Sequence, residues 1–183
     1  MKSGLLLAVL ASAVAAPAFA EEQCGIAVTH RYGETRAAFT DVLAGCDKDG
    51  ACYVSASKID KSLPANFSHQ LRFLQAKGSD KLGLKLTAVE PMADLKGAMV
   101  LSYGSIKLDL GGALETRENV VNDYYVKDAA KADELARTLI AKTNKVRWLY
   151  QNEKGGAEVI ADIPLRGATK ALEWIQCMVK PAN

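Results

Sequence analysis

Leu82-Gly83-Leu84-Lys85-Leu86-Thr87-Ala88 alternates apolar residues with small or polar ones. A strand turns successive side chains to opposite faces. This period of two therefore puts Leu82, Leu84, Leu86 and Ala88 on one buried face and mostly polar groups on the other. The turn cluster Gly78-Ser79-Asp80 precedes the strand and Pro91 ends it. Working outward, Ile106-Lys107-Leu108-Asp109-Leu110 alternates in the same way and stops at Gly111-Gly112. Ala98–Tyr103 is mostly apolar and reads as a run buried on both faces. Val120–Val126, Gln70–Gln75 and residues 38–46 and 51–58 also read as extended, the last two flanking a turn-rich Asp47–Gly50 stretch.

The period then changes. From Ala129 to Thr143, Ala132, Leu135, Ala136, Leu139 and Ile140 recur at three- and four-residue spacing, which predicts an amphipathic helix capped by Asp128. Asp133 and Arg137 stand four apart in the favourable order. Val146–Gln151 and Ala157–Ile163 flank Lys154-Gly155-Gly156 and read as a hairpin. Ala168, Ala171, Leu172, Ile175 and Met178 mark a terminal helix. Sequential strands with turns favour antiparallel pairing. The expected fold is β-rich α+β, an antiparallel sandwich-like arrangement with two late helices.

The chain has 183 residues and opens with MKSGLLLAVLASAVAAPAFA. Lys2, an apolar run, Pro17 and Ala18-Phe19-Ala20 form the pattern of a cleavable signal peptide over residues 1–20. The apolar run is short of the roughly 20 residues a membrane span needs. Residues 21–183 then form one disulfide-bonded domain, expected in the periplasm, with secretion beyond the outer membrane open to it. No later stretch reads as an integral membrane segment. Leu43-Ala44-Gly45-Cys46 spells a lipoprotein box, but charged residues precede it and it is read as chance. Setting Lys2 aside leaves 22 of the 23 Lys and Arg, nearly matched by 21 Asp and Glu. That balance gives no reason to expect binding to nucleic acid through bulk charge.

Cys24, Cys46, Cys52 and Cys177 are an even set in an oxidising compartment, so disulfides are expected. Three connectivities are open. The turn-rich stretch between Cys46 and Cys52 favours joining those two, which leaves Cys24 near one end for Cys177 near the other.

No catalytic or metal-binding constellation is legible. His30 and His69 lack partners at ligand spacing and read as surface or structural residues. There is no nucleophile elbow, phosphate loop or dinucleotide fingerprint. No cofactor and no metal are therefore expected. Tyr124, Tyr125, Trp148, Tyr150 and Trp174 read as core aromatics rather than a ligand platform.

Phe39-Thr40-Asp41-Val42-Leu43-Ala44-Gly45-Cys46-Asp47, with Cys52 soon after, resembles an early motif of the invasion-associated locus B family and related proteobacterial periplasmic proteins. Ile163-Pro164-Leu165-Arg166-Gly167-Ala168-Thr169-Lys170-Ala171-Leu172 is similar to that group's closing segment. Val42 stands where the family usually has Trp. The resemblance implies an envelope protein without known catalysis, in some members linked to host association.

Three functions follow. The first is a non-enzymatic binding or accessory protein of the cell envelope, its partner another envelope or secreted protein. The second is an inhibitor or immunity protein against a lysozyme-like or toxin enzyme, acting through the Asp60–Ser68 or Leu110–Asn119 loop. The third, an enzyme, requires carboxylates such as Glu90, Asp94 and Glu115 to converge.

Overall fold

In the computed structural model of the chain, residues 21–117 and 120–179 are described. The leader expected over residues 1–20 lies outside them. A small hairpin, β1 (Glu22–Gln23) with β2 (Ile26–Ala27), opens the chain. An antiparallel meander follows: β3 (Thr29–Arg31), β4 (Glu34–Phe39), β5 (Val42–Asp47), β6 (Cys52–Ile59), β7 (Phe67–Gln75) and β8 (Leu82–Ala88). These lie side by side in chain order. Then come β9 (Met99–Tyr103), β10 (Ile106–Asp109), β11 (Leu114–Arg117) and β12 (Val120–Val126). β12 pairs with β8 and β11 forms the edge, which completes an eight-stranded sheet. After α1 (Ala129–Lys142), β13 (Lys145–Gln151) and β14 (Glu158–Pro164) join the second sheet in the order β10-β9-β13-β14, and α2 (Ala168–Met178) follows. The fold is thus β-rich α+β, with a large antiparallel sheet, a smaller one and two late helices.

Alternation builds the core. Leu82, Leu84, Leu86 and Ala88 of β8 are buried on one face of the large sheet, paired with Gln75, Phe73, Leu71 and His69 of β7. Val54 and Ala56 of β6 and Ala44 of β5 continue that face. Against it pack β14 over β6 and β7, α2 over β4 to β6, and α1 over β8 and β12. Trp148, Tyr150, Leu101, Ala161 and Ile163 fill the layer from the second sheet. Trp148 is fully buried and meets Tyr124, His69 and Tyr150 at ring-centroid distances of 6.1, 5.6 and 4.7 Å.

α1 begins where the Asp128 side chain accepts from the Lys131 N–H at 2.7 Å. Its buried residues are Ala132, Leu135, Ala136, Leu139 and Ile140. Asp133 does more than pair with Arg137 at 2.9 Å. It also accepts from the backbone N–H of Leu82 at 2.8 Å, which ties the helix to the start of β8.

The two stretches that carry the family resemblance meet in space. Arg166 donates from Nε and Nη2 to both Asp41 oxygens, at 2.6 and 2.9 Å. The Asp41 N–H donates to the Arg166 carbonyl at 3.1 Å. Phe39 packs on Trp174 of α2. Gly167 caps α2 with φ of 91°, and a Cβ there would collide with the Phe39 carbonyl. Both the left-handed backbone and the close approach require glycine. Gly167→Ala is expected to cost about 2 kcal/mol, from backbone strain and overpacking together. Denaturant titration checks this: an unchanged midpoint would show that the junction yields freely.

Three segments differ from what the sequence predicts. Residues 38–46 are not one run. Thr40 and Asp41 form a tight turn between β4 and β5, with Thr40 at positive φ. Ala98–Tyr103 is buried on one face only: Met99 and Leu101 point inward while Val100 and Ser102 are half-exposed. Leu110–Asn119 is not a simple loop, because it contains β11. Its last two residues lie outside the described ones.

Candidate binding face of the large sheet

The opposite face of the large sheet comes from the other half of the same alternation. One row of paired positions reads Leu43, Ser55, Arg72, Lys85, Tyr125 and Glu115 across β5, β6, β7, β8, β12 and β11. The next row, toward the Leu82 end, reads Arg36, Gly45, Tyr53, Leu74 and Gly83. On the other side lie Ser57, Gln70, Thr87 and Asp123. Both helices and the second sheet pack on the apolar face. Cross-strand contacts among polar side chains therefore organise this one.

Those contacts are well defined. Lys85 Nζ donates to Asp123 Oδ2 at 2.6 Å and Thr87 Oγ1 donates to Oδ1 at 2.5 Å. Gln70 Nε2 donates to Ser57 Oγ at 3.0 Å. The Tyr53 hydroxyl donates to Glu34 Oε2 at 2.8 Å, and the same oxygen accepts from Arg36 Nε at 2.7 Å. Tyr53 lies across Gly45, where a Cβ would come within 2.7 Å of its ring. Glycine at 45 is what lets this phenol lie over β5.

Guanidiniums stack on the tyrosines. Arg72 lies over Tyr53 at 4.8 Å from the ring centre, and Arg117 over Tyr125 at 4.0 Å. At the β3–β4 turn, Arg31 and Arg36 approach Tyr32 at 4.8 and 5.5 Å. Each such contact contributes on the order of 0.5–1 kcal/mol where exposed and more where desolvated. Burial pushes the Tyr53 phenol up, and its bond to Glu34 adds to this. Burial and then the nearby Asp123 charge push Tyr125 up. Both phenols therefore stay neutral ring faces at ordinary pH.

Beside the Tyr53 row the face opens into a trough of about 610 Å³. Tyr53, Leu74 and Gly83 line it, with Glu34 and Asp47 on the β4–β5 side and Glu115 and Arg117 on the β11 side. Ligand sites typically span roughly 300–1,000 Å³.

The residues singled out from the sequence fall elsewhere or play other parts. Cys24 is joined to Cys177, and Cys46 to Cys52 directly across β5 and β6. His69 is buried in the core, hydrogen-bonded to Ser68 and Tyr150. His30 is exposed and contacts Glu21 and Thr35. Trp148, Tyr150, Tyr124 and Trp174 are core residues. Tyr125 is not: it turns to the polar face, because it is one residue out of phase with Tyr124. Glu115 lies at the trough, whereas Glu90 and Asp94 fall in the β8–β9 connection, beyond the other end of β8. No group of three or more His, Cys, Asp or Glu able to hold a metal occurs among the described residues. Sequence reasoning misses Arg72, Arg117 and Tyr53. The available signal is a guanidinium or phenol at the outward positions of strands whose inward positions are apolar.

Comparison with known proteins finds no family model, no curated protein and no solved structure that matches this chain.

Proposed function

We propose that this chain is an exported, non-enzymatic binding or accessory protein of the bacterial cell envelope that takes its partner on the polar face of the large sheet. The observation that carries the reading is that face itself. It is a rigid array of stacked arginine and tyrosine beside a trough, with ordering contacts already made before any ligand arrives. Such preorganisation lowers the entropic cost of binding. Two disulfides suit an oxidising compartment. Among the described residues no helix is long and apolar enough to cross a membrane. The signal-peptide pattern and the resemblance to the invasion-associated locus B family support the same placement.

Of the two loops open to the inhibitor reading, Leu110–Asn119 carries Glu115 at this same trough, so the β6–β7 connection is the one that separates that reading from the first. That loop is pinned by Asp60, which accepts from the Ser62 N–H and hydroxyl at 3.0 and 2.6 Å, and the exposed Ile59 flanks it. A photoreactive residue placed at Glu115, and separately at Lys61, separates the two readings in cells. Adducts with envelope components are expected from position 115. Adducts from position 61 alone would favour the inhibitor. Turnover of a cell-wall, ester or phosphate substrate by the purified protein would overturn both.

A further inference from the structure

The smaller sheet ends on a strand with an open edge. β10 is hydrogen-bonded to β9 alone among the described strands. Ile106, Lys107 and Asp109 are exposed, and Leu108 is half-buried. The backbone of β10 has a fixed phase. The Leu110 N–H donates to the Met99 carbonyl at 2.8 Å. Antiparallel ladders alternate between bonded and non-bonded pairs. Leu108 and Ile106 are therefore the bonded partners of Leu101 and Tyr103, and the N–H and C=O groups of Lys107 and Asp109 turn to the open edge. Such an edge is a template for another strand.

Its side chains say which strand fits. Ile106-Lys107-Leu108-Asp109-Leu110 is complementary to itself about Leu108. A second copy laid antiparallel on β10 and centred there sets Lys107 opposite the partner's Asp109, and Asp109 opposite the partner's Lys107. These are the positions with free backbone groups, so each pair exchanges both hydrogen bonds. Leu108 meets its own copy on the inner face. Ile106, 46% exposed, meets the partner's Leu110. Next in line are Ser105 with Gly111 and Gly104 with Gly112, all small. Neither Lys107 nor Asp109 forms an ion pair with a described residue. Asp109 Oδ1 accepts from the Gly111 N–H at 2.8 Å, which leaves Oδ2 for the lysine.

The same charges reject the neighbouring registers. Centred on Lys107, the pairing opposes lysine to lysine, and centred on Asp109 it opposes aspartate to aspartate. Two other edges lack the property. On β14, pairing about Ile160 opposes Glu158 to Asp162. On β11, Glu115 and Arg117 differ in sign, but the register breaks between them and Arg117 lies on Tyr125. We propose that β10 pairs with β10 of a second copy of this chain about a twofold axis at Leu108, which joins two four-stranded sheets into one continuous sheet. A contact of one short strand gives a weak, reversible dimer.

Sedimentation velocity of the oxidised protein, from micromolar to millimolar concentration, tests this. A reversible monomer–dimer equilibrium is expected, weakened by added salt. Lys107→Glu opposes glutamate to aspartate, and Asp109→Lys opposes lysine to lysine. Each is expected to raise the dimer Kd at least about tenfold. An equimolar mixture of the two variants restores opposite charges on both sides of the axis. It is expected to form heterodimers as tight as the parent dimer, seen by native mass spectrometry. Lys107→Pro gives a reading that does not depend on charge. The N–H it removes faces the open edge, so the monomer is expected to keep the parent's melting temperature while the dimer is lost. A parent that stays monomeric throughout, a dimer that survives each substitution, or a mixture that associates no better than its components would overturn the assignment.

Discussion

Removing the Cys24–Cys177 bond with Cys24→Ala and Cys177→Ala is expected to be the most damaging pair of changes away from the core. The bond joins positions 153 residues apart. On the chain-entropy view, closing so long a loop stabilises by about 5 kcal/mol, against about 2 kcal/mol for the Cys46–Cys52 bond, whose residues are six apart. For a chain of this size the larger loss corresponds to a fall in melting temperature of about 10–20 °C. The geometry adds a local reason. Cys177 lies in α2, and Trp174 of that helix donates from Nε1 to the Gln23 carbonyl at 2.9 Å. The disulfide therefore anchors both the opening hairpin and the helix that covers β4 to β6. Thermal unfolding of the two double-alanine variants, with and without reductant, checks the ranking. Equal melting temperatures for both would show that loop length does not set the effect.

His69 sets the second large effect, and its sign follows from its surroundings. Tyr150 donates its hydroxyl to the Pro91 carbonyl at 2.7 Å, so the same oxygen accepts from His69 Nε2–H at 2.7 Å. That leaves Nδ1 to accept from the Ser68 hydroxyl at 3.0 Å. The ring is 3% exposed, stands edge-on to Trp148, and is paired across the sheet with Lys58. Burial first, and the Lys58 charge second, lower its pKa from 6.5 to about 4. A folded pKa below the unfolded one means the folded state favours the neutral ring. This contribution is complete above pH 6.5 and is lost as pH falls from there toward 4, in total about 3 kcal/mol. Arg166 and Arg147 hold the carboxyls of Asp41 and Asp162 below the usual range. Burial opposes the same shift at Asp133, where Arg137 and the Leu82 N–H outweigh it. The losses from these three therefore come at more acid pH. Equilibrium unfolding at several pH values is expected to show a steep drop between 6.5 and 4. His69→Gln should be less stable at pH 7, with that drop largely gone. A variant as steep as the parent would assign the acid response to other groups.

The alternation in Leu82–Ala88 makes the strand and its buried face legible. The helix spacing at Ala132–Ile140 and the capping Asp128 do the same for α1. Each is a local pattern that tertiary packing reinforces. The short strands near the N-terminus are not legible. Their apolar content is low, and they persist because each neighbour supplies hydrogen bonds. The β4–β5 turn is hidden because Thr40 and Asp41 interrupt an otherwise apolar stretch without glycine or proline. The candidate binding face is legible only as polarity. Knowing that Lys85 and Thr87 point outward does not reveal that Arg72 lies beside Tyr53, because that depends on register between strands. Tyr124 and Tyr125 show the limit most directly: adjacent and chemically identical, they look alike in the sequence, yet pleating sends one to the core and the other to the polar face.

The meander has a consequence for the order in which the molecule assembles. From β4 to β8 every strand pairs with its immediate predecessor, so a chain emerging from its N-terminus can zip this part together through short-range closures alone. The elements that seal its greasy side, α1, β14 and α2, all arrive afterwards. During that interval Val54, Leu71, Phe73 and Leu84 face water, and a nascent intermediate needs an escort or a fast finish to avoid sticking to its siblings.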